Sequence, residues 1–244
     1  MTPDKFVKTV VEKYQSFEGV FKDHKNAEDL APNSDNVTKA LFLFYVIQLD
    51  YATKSQRLYA GARELFDSKS EFFTPEFIDN LPELELRNYL EKYLKPRYIN
   101  EAIKRYKANS TKLSDDYSSN PLLIFENSKS AKEALDKVRD FRGFGPKIGN
   151  FYVRTMINTF NYDYPDIESI LPPVDVHDVR IAYLMGFIDS DKMTQKNILT
   201  TKELWSLACK NSKTSWLTFD KALWLLGSEG NPKSKKDIYT LLEI

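Results

Sequence analysis

The chain has 244 residues and equal numbers of basic and acidic side chains, 35 Lys plus Arg and 35 Asp plus Glu. This zero net charge argues against a histone-like coat of positive charge and against a polybasic membrane-binding protein. One cysteine and two histidines exclude a disulfide framework, a thiolate zinc site and a four-cysteine iron–sulfur cluster, and they leave few ligands for an imidazole metal centre.

The apolar content points to a folded, globular protein. Hydrophobic residues make up 42% of the chain, which is enough for a buried core. No apolar run approaches the roughly 20 residues of a membrane span, and the N-terminal residues lack the apolar stretch of a signal peptide. We therefore expect a soluble cytoplasmic protein.

Helical periodicity dominates the chain. Apolar residues recur at spacings of three and four, which is typical of amphipathic helices, and one nearly all-apolar run predicts a buried helix. N-cap residues and prolines at first helical turns add further boundaries. The predicted helices occupy residues 6–17, 40–51, 57–66, 131–138, 146–160, 175–187 and 202–227, and three more begin at Thr74, Leu81 and Pro96.

The segments between these helices contain prolines and clusters of small polar residues. Residues 18–36 and 161–174 are predicted to connect helices, and residues 109–120 are predicted to form a polar loop. There is no βαβ alternation and no internal repeat. The sequence therefore predicts an all-α fold.

A glycine cluster lies between two of the predicted helices. Three of the eight glycines fall in the segment FRGFGPKIG, residues 141–149. Gly143 and Gly145 permit a positive φ in a tight turn, and Pro146 suits the first turn of the next helix. The free amides at the start of that helix can bind a phosphate oxygen. A glycine-containing link with no ligand is the alternative interpretation.

A second segment, LPPVDVHDVRIAYLMG (171–186), follows further along the chain. Its two prolines predict an extended approach, and Asp175 is placed to cap the next helix. Nothing in this segment by itself requires Asp175 to be more than a cap. His177 and Arg180, one helical turn apart, are either phosphate contacts or ordinary surface residues.

Together the two segments resemble the helix-hairpin-helix DNA glycosylase superfamily. The signature of that family is a hairpin of the form L-P-G-x-G-x-K, followed later by V-D-x-H at the start of a helix. FRGFGPKIG is similar to the hairpin, except that Phe141 and Arg142 replace Leu-Pro, a departure expected only to loosen its entry. PVDVH (173–177) is similar to the second element. The resemblance covers about residues 37–230 and is strongest at these two segments.

The resemblance implies roles for two residues. Lys147 corresponds to the nucleophilic lysine of the family, and Asp175 corresponds to its essential aspartate. Members that only hydrolyse the glycosidic bond carry another residue at the lysine position, so the resemblance implies a DNA glycosylase that is also an AP lyase. The phosphate contacts that it implies are Gly143, Gly145, His177 and Arg180.

Two further segments, KIGNF (147–151) and DKALWLLGSEG (220–230), are similar to the archaeal GO glycosylase type, which excises 8-oxoguanine. In that branch an aromatic residue and a tryptophan hold the extruded base, and a glutamine reads it. The base pocket implied for this chain is Gln48, Phe151 and Trp224.

The resemblance also implies an architecture and partners. A central helical domain of residues 30–160 would carry the hairpin, and residues 1–29 with 161–244 would form a second subdomain carrying Asp175. A DNA-binding cleft between them would hold Lys147 and Asp175 on opposite lips. The expected partner is damaged double- or single-stranded DNA, with no membrane partner. The protein would be a nucleoid-associated monomer that requires no cofactor, although the family allows a monovalent cation at the hairpin.

The sequence is also compatible with other functions. The same lysine and aspartate chemistry could act on an oxidised pyrimidine or an alkylated purine. A hairpin module that binds DNA without catalysis is an alternative of another class. A metal-dependent nuclease is a third, because residues 161–191 are rich in carboxylates, but no repeated metal-ligand spacing supports it.

The zero net charge conceals a polarised chain. Residues 87–107 contain seven Lys or Arg and two Glu, and residues 131–156 contain six Lys or Arg and three acidic residues. Residues 161–191, in contrast, contain seven acidic residues and one Arg. Because one basic segment includes the glycine cluster, phosphate contacts and a salt-sensitive affinity for DNA are expected.

Overall fold

The computed structural model describes residues 1–23, 26–51, 53–170 and 174–244. Within these ranges the chain is helical with connecting turns and contains no β-strand, which confirms the predicted all-α class. In the same ranges, no helix has the length and apolar character that crossing a membrane requires. His24 and the extended approach predicted for Pro172 and Pro173 lie outside the described residues.

The α-helices vary from single turns to five turns in length. Short 3-10 helices occupy Gly19–Phe21, Ser70–Phe73 and Ile167–Ile170, and a π-helical turn at Leu90–Leu94 continues the sixth α-helix. The α-helices are α1 (Pro3–Gln15), α2 (Ala27–Leu30), α3 (Asn36–Ile47), α4 (Ser55–Ser68), α5 (Pro75–Asn80), α6 (Glu83–Tyr89), α7 (Ile99–Tyr117), α8 (Leu122–Glu126), α9 (Ala131–Arg139), α10 (Pro146–Phe160), α11 (Val176–Met185), α12 (Gln195–Ser212), α13 (Trp216–Ser228) and α14 (Lys235–Leu242).

The chain forms two compact units. The larger is Asn26–Leu171, and the smaller combines Met1–Lys25 with Pro172–Ile244. Residues 161–171, the first part of the acidic segment that follows α10, belong to the larger unit. There the Asp166 carboxylate accepts a hydrogen bond from the Ala131 N–H at 2.7 Å and so helps to satisfy the start of α9.

The centre of the larger unit is α3. Every side chain from Ala40 to Ile47 is buried, as the apolar run predicts, and α3 packs against α2, α4 and α10. The ring of Phe44 lies 5.3 Å from that of Phe141 and 5.4 Å from that of Phe144. These contacts anchor residues 140–145, hereafter the glycine turn, which joins α9 to α10.

The smaller unit has a separate core. The stripe Phe6, Val7, Val10 and Val11 of α1 is buried, and α1 packs against α12 and α13. The Phe6 ring stacks on Trp205 with 5.9 Å between centroids. Segments from both ends of the chain therefore share one apolar core.

The predicted polar loop at residues 109–120 is wrong over most of its length. Residues up to Tyr117 continue α7, because Asn109, Ser110 and Leu113 extend the buried stripe that begins at Ala102. Asn109 and Ser110 are polar but hydrogen-bonded in the core, as buried polar groups must be. Hydropathy alone cannot distinguish such a stripe from a loop.

The predicted helix at residues 202–227 is also wrong as a single element. The chain leaves the helical conformation at Lys213, where φ is 54°, so that α12 and α13 are separate helices. The sequence prediction also missed α14, which begins with a capping box between Ser234 and Asp237. The pattern of a serine followed three residues later by an acid was the available signal.

Candidate functional site

A groove of about 590 Å³ lies beside the glycine turn in the larger unit. Three cationic side chains, Arg105, Arg139 and Lys147, line it together with the backbone of the turn. Tyr51 also lines the groove and is 51% exposed. No carboxylate belongs to the lining that the structure describes, so the groove is electropositive and presents an accessible aromatic ring.

The first turn of α10 opens onto this groove. Gly145 is the N-cap and Pro146 the first helical residue, and among the described side chains none caps the helix. The amides of Lys147 and Ile148 therefore lie where an anion can accept their hydrogen bonds, with the helix dipole adding to the attraction. Lys147 is exposed at this point.

The two glycines of the turn serve different purposes. Gly143 has φ +87°, a conformation that favours glycine, and a Cβ there would lie 2.7 Å from Nε of Arg105. Gly145 has φ −69°, and a Cβ there would meet nothing within 4 Å. The fold thus requires glycine at 143, whereas at 145 glycine leaves the groove open.

Asn109 holds the backbone of the turn. Its Oδ1 accepts the Arg142 N–H at 2.8 Å, and its Nδ2 donates to the Arg142 carbonyl at 3.0 Å. Phe141 is buried beside it. Aromatic packing of Phe141 and the Asn109 amide thus hold the entry to the turn, where the Phe-Arg replacement was expected to loosen it. The Phe141 and Arg142 carbonyls each accept a hydrogen bond.

Gln48 is fully buried behind Asn109. Its Oε1 accepts a hydrogen bond from Asn109 Nδ2 at 2.9 Å, and its Nε2 donates to the Phe44 carbonyl at 3.3 Å. The side chain that was expected to read the base thus has partners within the core. These bonds favour a structural role for Gln48 in supporting the glycine turn.

A bridging carboxylate lies behind the groove. Glu101 accepts two hydrogen bonds from Arg142, at 2.9 and 3.1 Å, and approaches Nε of Arg105 at 3.4 Å. The hydrogen bonds and positive charge of Arg142 hold the pKa of Glu101 below its usual range, and Arg105 adds a smaller effect in the same direction. Arg105 also donates to the Gln48 carbonyl at 2.9 Å, so its guanidinium is held in place at the groove wall.

Asp50 lies next to the groove residue Tyr51 and is partly buried. Its carboxylate accepts hydrogen bonds from Ser55 Oγ at 2.7 Å and from the Tyr59 hydroxyl. Burial raises the pKa of Asp50, while these hydrogen bonds and the positive charge of Lys147 act in the opposite direction. Asp50 therefore interacts electrostatically with Lys147.

In the smaller unit, Asp175 caps α11 as predicted. Its Oδ1 accepts the N–H groups of His177 at 2.6 Å and Asp178 at 3.2 Å, and Asp178 accepts the Asp175 N–H at 2.6 Å in return. Asp178 is buried. Burial, followed by the negative charges of Asp175 and Asp220, raises the pKa of Asp178 well above its usual range.

The other candidate residues of the smaller unit are on α11, which carries His177 and Arg180, and on α13, which carries Trp224. Arg180 donates to the Gly227 carbonyl, and its Nη2 lies 3.2 Å from His177 Nδ1. A Cβ on Gly227 would lie 2.7 Å from Cβ of His177, so glycine allows the two helices to approach closely. Trp224 is partly buried and packs against the core of this unit. Arg180 and His177 therefore have contacts that hold α11 to α13.

The structure thus groups the predicted residues in two places. Gly143, Gly145 and Lys147 line one groove, and Phe151 is partly buried one turn further along α10. The second group is Asp175, His177, Arg180 and Trp224 in the smaller unit. Four further residues were not predicted as site residues: Arg105, Arg139 and Tyr51, which line the groove, and Asn109, which holds the turn. The basic segments 87–107 and 131–156 were signals for Arg105 and Arg139.

In the part of the chain that the structure describes, no group of three or more His, Cys, Asp or Glu side chains is arranged to hold a metal ion. Comparison with known proteins adds no family assignment. No protein-family model matches the chain, and a search of curated proteins returns no match. Function is therefore inferred from the sequence pattern and from the geometry at the groove and at α11.

Proposed function

We propose that the protein is a base-excision-repair DNA glycosylase with AP lyase activity, which excises 8-oxoguanine through a Schiff base on Lys147. The observation that carries the proposal is the position of Lys147: a primary amine at the start of α10, in an electropositive groove beside the glycine turn. A lysine that only bound phosphate would account for the charge. The FGPK pattern followed by VDVH favours a reacting amine.

The groove is suited to a phosphodiester backbone. Arg105, Arg139 and Lys147 supply positive charge, the first amides of α10 supply hydrogen bonds, and Gly145 leaves room for close approach. In the proposal, α9, the glycine turn and α10 form a helix-hairpin-helix motif. Its ligand is damaged DNA, double- or single-stranded, bound by a nucleoid-associated monomer.

Lys147 would act on a nucleotide rotated out of the stack. Its neutral Nζ attacks C1′, the glycosidic bond breaks, and the bonding electrons leave with the base, which takes up a proton. Nζ loses a proton, and cleavage of C1′–O4′ with protonation of O4′ gives an iminium. Loss of a C2′ proton then expels the 3′ phosphate with its bonding electrons, and water hydrolyses the iminium to restore Lys147. No cofactor takes part.

Asp175 would stabilise the positive charge that develops on the sugar and transfer protons. Its cap bonds to His177 and Asp178 favour this role, because they fix the carboxylate in one orientation before substrate binds. The same bonds are sufficient for a purely structural cap, so a substitution has to separate the two roles.

In the proposal, two aromatic residues form the base pocket. Phe151 and Trp224 are proposed to stack on the extruded base, a contact that contributes about 1–3 kcal/mol per base and offsets part of the flipping energy. For Gln48 the observed hydrogen bonds favour support of the turn over direct reading of the base. His177 and Arg180 would contact phosphate only if they exchange their present partners.

A lesion panel in EDTA with borohydride trapping tests the proposal. Duplexes carrying 8-oxoguanine, an oxidised pyrimidine, an alkylated purine or an abasic site are incubated with the protein, and base release, strand cleavage and covalent adducts are measured. The proposal predicts release, cleavage and an adduct with 8-oxoguanine. If an adduct forms only with another lesion, that lesion would replace 8-oxoguanine as the proposed substrate. Binding with no chemistry on any duplex would indicate a non-catalytic DNA-binding module, and cleavage that EDTA abolishes would indicate a nuclease.

A further inference from the structure

Asn109 is one of the buried polar residues of the larger unit. It is 1% exposed and lies on the inner face of α7. Its three hydrogen bonds go to the N–H and carbonyl of Arg142 and to Gln48 Oε1, which places it between the glycine turn and α3. An amide at this depth is unfavourable unless it is hydrogen-bonded, so these partners account for its presence.

The two bonds to Arg142 constrain the turn in a way that its aromatic anchors do not. Phe141 and Phe144 fix where the turn lies by packing on Phe44. Packing between rings is weakly directional for the backbone, whereas a hydrogen bond to an N–H and another to the carbonyl of one residue fix the rotation of its peptide groups. That rotation sets the direction of the chain through Gly143 to Gly145.

Gln48 holds Asn109 in turn. Its Oε1 accepts a hydrogen bond from Asn109 Nδ2, and its own Nε2 donates a hydrogen bond to the Phe44 carbonyl. The amide plane of Asn109 is therefore fixed from α3, the most deeply buried helix of the unit. A chain of hydrogen bonds runs from the core to the edge of the groove.

We propose that Asn109, supported by Gln48, is the positioning residue for an anion site at the glycine turn, whose ligand is a phosphate of the nucleic-acid backbone. The inference rests on the proposed function for the identity of the ligand. It does not depend on the chemistry at Lys147, because phosphate binding at the turn and attack by the amine are separate events.

Ser110 provides a matched control on the same helix. It is also fully buried, and its Oγ bonds the Tyr45 hydroxyl at 2.7 Å. Ser110→Ala, like Asn109→Ala, leaves a buried polar partner unsatisfied and should lower stability. No described bond of Ser110 leads to the glycine turn. A merely structural role for Asn109 would therefore make the two variants equivalent in ligand binding once both are folded.

The experiment is a titration of each folded protein with inorganic phosphate, followed by the amide signals of Gly145, Lys147 and Ile148 in ¹⁵N–¹H spectra. Urea unfolding of the same samples measures stability. For Asn109→Ala we expect the phosphate affinity to fall about tenfold, the effect of losing roughly one well-placed hydrogen bond, while Ser110→Ala stays within about twofold of wild type. Should Asn109→Ala fail to fold, Gln48→Met serves instead, with an expected loss of about threefold.

Two results would overturn the inference: Asn109→Ala titrating like Ser110→Ala, or wild-type protein showing no phosphate response at these amides. The proposed function is tested by a different measurement. Its failure would appear as the absence of a borohydride adduct with damaged DNA. A protein that binds phosphate through Asn109 but forms no adduct would retain the positioning role and lose the glycosylase assignment.

Discussion

Arg105 lies directly behind Gly143, so that a Cβ on that glycine would come within 2.7 Å of the arginine Nε. The guanidinium is held there by the Gln48 carbonyl and by Glu101. One face of the arginine supports the turn, and the side chain also lines the groove.

Alanine at the two turn glycines should give opposite patterns. Gly143→Ala places a side chain at φ +87° and against Arg105, so the free energy of unfolding should fall by about 1–3 kcal/mol. Gly145→Ala meets no such strain and should leave stability unchanged, but its methyl group would obstruct a phosphate in the groove. Urea unfolding and DNA-binding anisotropy measure the two effects. Unchanged DNA affinity in Gly145→Ala would argue against close approach of a phosphate here.

Arg139→Gln should weaken DNA binding without changing which lesion is preferred. Removal of one phosphate contact reduces the slope of log K against log salt concentration by about 1. Arg63→Gln is the control, because Arg63 is partly exposed on α4 and pairs with Asp67, and neither residue lines the groove. Equal salt slopes for the two variants would remove Arg139 from the interface.

Substitutions at Asp175 should separate capping from catalysis. Asparagine is a good N-cap, so Asp175→Asn should retain stability, whereas Asp175→Ala should lose about 1 kcal/mol. Both should bind DNA and lose base excision if the carboxylate acts on the substrate. Single-turnover excision assays and urea unfolding provide the comparison. Normal excision by Asp175→Asn would mean that Asp175 is only a cap.

Asp178 should make stability fall as pH rises. Its pKa in the folded protein is raised by burial and by Asp175 and Asp220, so the folded state binds a proton more tightly than the unfolded chain does. The stabilisation is complete below the unfolded pKa of about 4 and is lost as pH rises toward the folded pKa. Asp178→Asn keeps an acceptor for the Asp175 N–H and should flatten this dependence. Urea unfolding from pH 4 to 8 measures it, and identical pH profiles would contradict the assignment.

The sequence predicted the helical class, the buried run of α3, the glycine turn and the cap at Asp175, because each depends on local patterns. It could not predict that residues 109–117 are helical. Asn109 and Ser110 look polar in sequence, and the partners that make them core residues lie far away, at Arg142, Gln48 and Tyr45. Long-range hydrogen bonds leave no periodic signal.

The same limitation applies to the candidate site. Lys147 is identified by its place after the glycines, but Arg105 and Tyr51 come to the groove from other segments of the larger unit. Gln48 was assigned to the base pocket through the resemblance to the GO glycosylase type, and its partners could not be seen in the sequence. The partner found in the structure is Asn109, a side chain of the protein itself.

The most direct test of the central claim is borohydride trapping of Lys147→Gln on an 8-oxoguanine duplex. Lys132→Gln is the control, because this lysine lies on α9 with 69% of its side chain exposed and pairs with Asp136 outside the groove lining. Wild type and Lys132→Gln should form a covalent protein–DNA adduct, and Lys147→Gln should bind the duplex but form none. An adduct of normal yield with Lys147→Gln would contradict the account.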